Sequence, residues 1–115
     1  MARILIVDDD EGVREIWAGF LRHNGYECVP VPNGVDALKL LDAGREFDLI
    51  TTDIVNYPMD GFEFRDKLRR RYPSIPVLVI TAAPDIEYPH YLRKSPDMEL
   101  EQIVRAVNRA LGRTE

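Results

Sequence analysis

A single cysteine, Cys28, is all the chain carries in 115 residues, so neither an intramolecular disulfide nor a cysteine zinc cluster can form. No apolar run approaches the roughly 18 residues of a membrane span. The chain opens on a strand-like segment without a signal-like stretch, which sets the expectation of a soluble, cytoplasmic protein. An excess of positive charge is also lacking: the net charge of −5 and a pI near 5.0 argue against direct DNA binding or general affinity for nucleic acid. Lys67, Arg69, Arg70 and Arg71 form one local basic cluster, read as a solvated helix end whose cations complement the helix dipole. Repeats, low-complexity tracts and linkers are missing too. At this length, residues 1–115 are expected to form one domain that buries roughly two-thirds of its unfolded surface.

What is present is an alternation of apolar strands and amphipathic helices. Arg3 to Asp8 reads as the first strand. A helix follows with Asp10 or Asp9 at its cap and Val13, Ile16, Trp17, Phe20 and Leu21 on one stripe, stopped by Asn24 and Gly25. Tyr26 to Val31 reads as a second strand, and Pro30 within it predicts an edge position, because proline cannot donate to a ladder. Asn33 and Gly34 open a second helix, which ends near Gly44. Phe47 to Asp53 is the third strand, Gly61 to Tyr72 a helix that Pro73 terminates, and Ile75 to Thr81 the fourth strand. Tyr91 and Leu92 belong to a short fifth strand, and Asp97 caps a last helix carrying Leu100, Ile103, Val104, Val107 and Leu111.

The first and third strands both run into acid: Ile4 to Val7 into Asp8, Asp9 and Asp10, and the third strand into Asp53. A strand apolar at nearly every position is buried on both faces, so its first acidic residue marks the carboxyl edge of a parallel sheet. That edge is where open α/β sheets keep their sites. Carboxylates converging there repel unless a hard cation sits between them, and Mg²⁺ takes oxygen ligands while keeping several waters.

Ile4 to Asp10, Phe47 to Asp53 with Met59-Asp60-Gly61, Val77 to Ala82, and Tyr91-Leu92-Arg93-Lys94 together resemble the receiver domain of two-component response regulators, in order and over nearly the whole chain. The resemblance implies a flavodoxin-like, doubly wound α/β fold with a parallel five-stranded sheet in the order 2-1-3-4-5. It implies Asp53 as phosphoacceptor, Asp8 and Asp9 as the acidic pair for Mg²⁺, with Asp53 and the Val55 carbonyl completing the metal site. It also implies Thr81 as the switch hydroxyl, Lys94 as the ammonium beside the phosphoryl group and Tyr91 as the aromatic switch. A histidine kinase or histidine phosphotransfer protein would be the donor and a downstream protein the target. The expected function is that of a single-domain response regulator with no output domain, a phosphoacceptor rather than an enzyme. Two rivals stand beside it: a pseudo-receiver that binds partners without phosphorylation, and a small phosphatase of the haloacid-dehalogenase type. The second rests on the D-x-D pair Asp8 and Asp10, with Asp8 as nucleophile.

The chain departs from the family pattern in three places. Proline usually lies four residues after the phosphoacceptor, and here it is displaced to Pro58; the proline that usually follows the lysine is displaced to Pro96. Lys94 lies thirteen positions after Thr81, and family members have about nine more, roughly two and a half turns of helix. The helix between strands four and five is therefore expected to be shortened or absent. The uncovered face beside strands four and five and the last helix then predicts a homodimer, by packing or by exchange of a segment.

Overall fold

The computed structural model describes residues 2–53, 61–81, 91–93 and 99–112. The elements in chain order are β1 (Arg3–Val7), α1 (Glu11–His23), β2 (Glu27–Val31), α2 (Gly34–Asp42), β3 (Leu49–Thr52), α3 (Gly61–Arg71), β4 (Val77–Thr81), β5 (Tyr91–Arg93) and α4 (Leu100–Ala110). The strands form one sheet in the order β2-β1-β3-β4-β5, and every neighbouring pair is parallel. Pro30 stands on the edge strand, opposite Ile6. Glu27 donates its N–H to Ala2, and the Val31 carbonyl accepts from Asp8, so the odd-numbered residues of β2 turn their backbone groups toward β1. Cys28 turns the other way, and its carbonyl accepts from Arg22 Nη2 at 2.9 Å.

Side chains on the central strands alternate between two cores, as the period of two requires. Ile4 and Ile6 of β1, Leu49 of β3 and Leu78 and Ile80 of β4 meet Trp17, Ala18 and Leu21 of α1 and Ile103, Ala106 and Val107 of α4. Leu5, Val7, Val31 and Ile50 face the opposite side, against Ala37, Leu38 and Leu41 of α2 and Phe64 and Leu68 of α3. Gly34, the first residue of α2, lets that helix close on α3: a Cβ there would lie 2.9 Å from Phe64 Cδ1. Cys28 is buried in the first core, where loss of solvent pushes its thiol up to about 11.

The helix caps follow the sequence with one correction. Asp10 is the N-cap of α1, its Oδ1 accepting from the Val13 N–H at 3.1 Å, and Asn33 caps α2 through Asp36 N–H at 2.8 Å. The N-cap of α4 is Glu99 rather than Asp97, and its backbone N–H donates to Gln102 Oε1 at 2.8 Å. Gln102 thus supplies the returning half of a capping box two residues later than the acidic cap first assigned; Asp97 itself lies outside the described residues. The stripe on α1 also shifts: Ile16 is 57% exposed while Ala18 is fully buried. The expected shortening of the helix between strands four and five falls on residues 82–90, outside the described residues, which contain four helices.

Candidate functional site

Register brings the two acidic strand ends together. Val7 of β1 pairs with Thr52 of β3, Thr52 with Val79 of β4, and Val79 with Tyr91 of β5. One residue further on come Asp8 and Asp53, each the first residue past its strand. Ile4 and Ile6 face the α1 and α4 core, as does Leu49, so continued alternation gives Asp8 and Asp53 the same parity. The apolar strands beneath them fix this register.

Asp8 is 2% exposed, Asp53 is half-buried, and Asp9 and Asp10 are exposed. The backbone around Asp8 is held on several sides. Its N–H donates to the Val31 carbonyl at 3.2 Å, Oδ1 accepts the Asp10 N–H at 2.9 Å, and its carbonyl accepts Arg14 Nη1 at 2.7 Å. On the neighbouring strand the Thr52 hydroxyl, itself buried, donates to the Asp53 carbonyl at 2.9 Å. Neither Arg14 nor Thr52 emerged from the sequence as a site residue. Two threonines in an otherwise apolar strand were a signal for Thr52, whereas Arg14 sits on a helix turn where an arginine is usually solvated.

Thr81 closes β4, where it pairs with Arg93, and β5 thus ends immediately before Lys94. The side chains of Thr81 and Tyr91, and the whole of Val55 and Lys94, lie outside the described residues. Among the described residues, no three acidic, histidine or cysteine side chains gather closely enough to hold a metal ion. Asp8, Asp9 and Asp53 fit Mg²⁺ in kind, since that ion is held by one or two carboxylates and keeps much of its water. No helix among the described residues is long and apolar enough to cross a membrane.

The parallel sheet with helices on both faces, and acidic residues just past β1 and β3, is a doubly wound α/β fold with its candidate site at the carboxyl edge. Residues 4–95 match the family model described as the response regulator receiver domain, and the chain belongs to that family. Among curated proteins it is similar to the response regulator protein FleR of Pseudomonas aeruginosa, 38% identical over 81 residues, which are 70% of this chain and 17% of that protein. It is similar also to the response regulator MprA of a Mycobacterium species, 40% identical over 80 residues, covering 70% of this chain and 34% of that one. The chain thus spans about a third or less of the length of these relatives. Among solved structures, TrrA of Thermotoga maritima in complex with Mg²⁺ and BeF superimposes with a TM-score of 0.83 at 28% identity, covering 96% of this chain and 99% of that one. The chemotaxis protein CheY4 of Vibrio cholerae gives a TM-score of 0.81 at 27% identity, covering 96% and 98%. The protein is a response regulator receiver domain of two-component signalling, a family whose members receive phosphate from histidine kinases and are not classed as enzymes. The comparisons do not favour the phosphatase reading.

Proposed function

We propose that Asp53 accepts the phosphoryl group, with Mg²⁺ held by Asp8, Asp9, Asp53 and the Val55 carbonyl, and that Thr81 and Tyr91 carry the change to a protein-binding surface. The observation that supports this most directly is the register of Val7 with Thr52, which ends β1 and β3 level at the carboxyl edge with Asp8 and Asp53 as the next residues. A carboxylate is a weak nucleophile toward phosphorus that is itself anionic, and a bound Mg²⁺ supplies the charge neutralisation both partners need. Asp53 contributes the attacking oxygen. An O–P bond forms to it while the P–N bond to the donor's imidazole breaks, and the departing nitrogen recovers a proton from solvent. Lys94 offers its ammonium to the transferred oxygens. The acyl phosphate adds dianionic oxygens that recruit the Thr81 hydroxyl and draw the chain behind it, and Tyr91 fills the space that opens.

The donor in this reading is a histidine kinase or histidine phosphotransfer protein, the target a downstream protein. Self-association through the face of β4, β5 and α4 accompanies it; the thirteen-position step from Thr81 to Lys94, about nine fewer than family members have, supports this reading. The test is intact-mass analysis after incubation with Mg²⁺ and a small phosphodonor. One acid-stable, base-labile phosphoryl group is expected on the wild type and none on Asp53→Asn; equal modification of both would overturn the assignment.

A further inference from the structure

Asp8 and Asp9 are adjacent in sequence, and the planar peptide between them couples their directions. The carbonyl of Asp8 and the N–H of Asp9 belong to one rigid unit. Whatever grips that carbonyl therefore sets the direction in which the chain leaves toward Asp9. The group that grips it is the Arg14 guanidinium, at 2.7 Å in a part-buried setting. That is the short end of the range for a charge-assisted bond. Arg14 is itself well anchored, because its backbone N–H donates to the Asp10 carbonyl at 3.0 Å, in the first turn of the helix that Asp10 caps. A loop of hydrogen bonds thus runs from β1 through the acidic turn into α1 and back.

We propose that Arg14 is a positioning residue for the divalent cation: by holding the Asp8 carbonyl it fixes the Asp8–Asp9 peptide and so presets two of the carboxylates. This inference rests on the reading of Asp8 and Asp9 as Mg²⁺ ligands. Two effects of Arg14 on a nearby cation have opposite signs, which makes them separable. As a bare positive charge beside the site, the guanidinium opposes Mg²⁺ by Coulomb repulsion, and its removal would tighten binding. As a clamp it spares the ligands the entropy of ordering, and its removal weakens binding, because partners behind metal ligands are worth about 10- to 100-fold in affinity.

The experiment is a Mg²⁺ titration of the full chain, read calorimetrically and by the melting midpoint at each concentration, for the wild type, Arg14→Met and Arg14→Lys. The expected result is a dissociation constant about tenfold higher in Arg14→Met, with Arg14→Lys between the two because a lysine keeps the charge and one donor. If Arg14→Met does not fold, a dissociation constant in Arg14→Lys above that of the wild type carries the same conclusion. An unchanged constant in the variants, even with a lowered metal-free midpoint, assigns Arg14 to the stability of α1 alone and overturns the proposal. A tighter constant in Arg14→Met shows that its charge outweighs its clamp and overturns it too. Absence of Mg²⁺ binding by the wild type overturns the metal reading and this inference together, whereas wild-type binding matched by the variants overturns this inference only.

Discussion

At the amino edge of the sheet, Arg3 draws the neighbouring acidic segments onto itself. Its guanidinium meets Glu27 at 2.9 Å and the Glu46 carbonyl at 3.3 Å, and its backbone N–H donates to Asp48 at 2.8 Å. Close by, Asp42 at the end of α2 takes an ion pair from Arg71 at 3.0 Å and a hydrogen bond from the Tyr72 hydroxyl, which raises the Tyr72 phenol above its ordinary range. At the carboxyl edge, the arginine beside the acids grips a backbone carbonyl. The first arrangement joins elements through ion pairs between side chains as well as bonds to the backbone, while the second holds the backbone around Asp8 and shows no ion pair among the described residues. One edge pairs its acids with arginines at the surface, and the other sets buried Asp8 beside exposed Asp9 and Asp10.

The sharpest break of that comparison would come from Asp9→Ala. Losing one hard ligand is expected to weaken Mg²⁺ binding by about a hundredfold, the upper end of what even an outer partner costs, while leaving the metal-free melting midpoint nearly unchanged because Asp9 is exposed. Calorimetric titration decides it, and the contrast between the edges fails if Arg3→Ala weakens binding as much. Next in size is Gly34→Ala beside the acidic edge. Its new methyl would meet the buried Phe64 ring at 2.9 Å, and overpacking of this kind costs about 1–3 kcal/mol, measurable as a lowered urea midpoint.

Cys28, the neighbour of Glu27 in β2, gives a pH-dependent check. Its folded value of about 11 lies above the ordinary 9.0, so the folded state holds its proton more tightly. This contribution to stability is present below about pH 9 and is lost as pH rises toward 11. Stability should fall across that window in the wild type and fall less in Cys28→Ala; a thiol reagent at pH 8 should label the folded protein slowly. Val55→Asn should shorten the lifetime of phosphorylated protein several-fold. Val55 and Ala83, two residues after Asp53 and two after Thr81, have no side chain able to orient an attacking water, and positioning is much of what such a site offers. Decay in the wild type as fast as in the variant would remove that reasoning. The smallest effect belongs to the amino edge: Arg3 and Glu27 side chains are 37% and 51% exposed, so breaking the pair should cost under about 1 kcal/mol and matter less in high salt.

Much of the frame was legible because it depends on period and punctuation. The edge position of β2 followed from Pro30, the cap of α2 from Asn33, that of α1 from the pair Asp10 or Asp9, of which Asp10 is the cap, and the level ends of β1 and β3 from apolar runs leading into Asp8 and Asp53. What escaped depends on contacts between elements. Ile16 was counted with the buried stripe because it is apolar, whereas small Ala18 lets α1 approach the sheet and turns Ile16 outward. The strands are shorter than their apolar runs: β3 begins at Leu49, after Phe47 and Asp48, although the Asp48 N–H still donates to the Arg3 carbonyl, and Asp8 lies one residue past β1. Arg14 and Thr52 act on backbone carbonyls, a role that no spacing in the sequence advertises.

The outer rim of β2 has a consequence for how the protein behaves among copies of itself. An edge strand presents backbone groups that can template another chain, and solvent-facing strands are common seeds of aggregation. In β2 the outward-turned residues are Cys28 and Pro30, since the odd-numbered ones serve β1. Pro30 has no N–H to offer, and the Cys28 carbonyl already accepts from Arg22. An incoming strand would find one donor missing and one acceptor taken in consecutive rungs of the ladder, so this rim resists the sheet-extending growth by which α/β proteins precipitate.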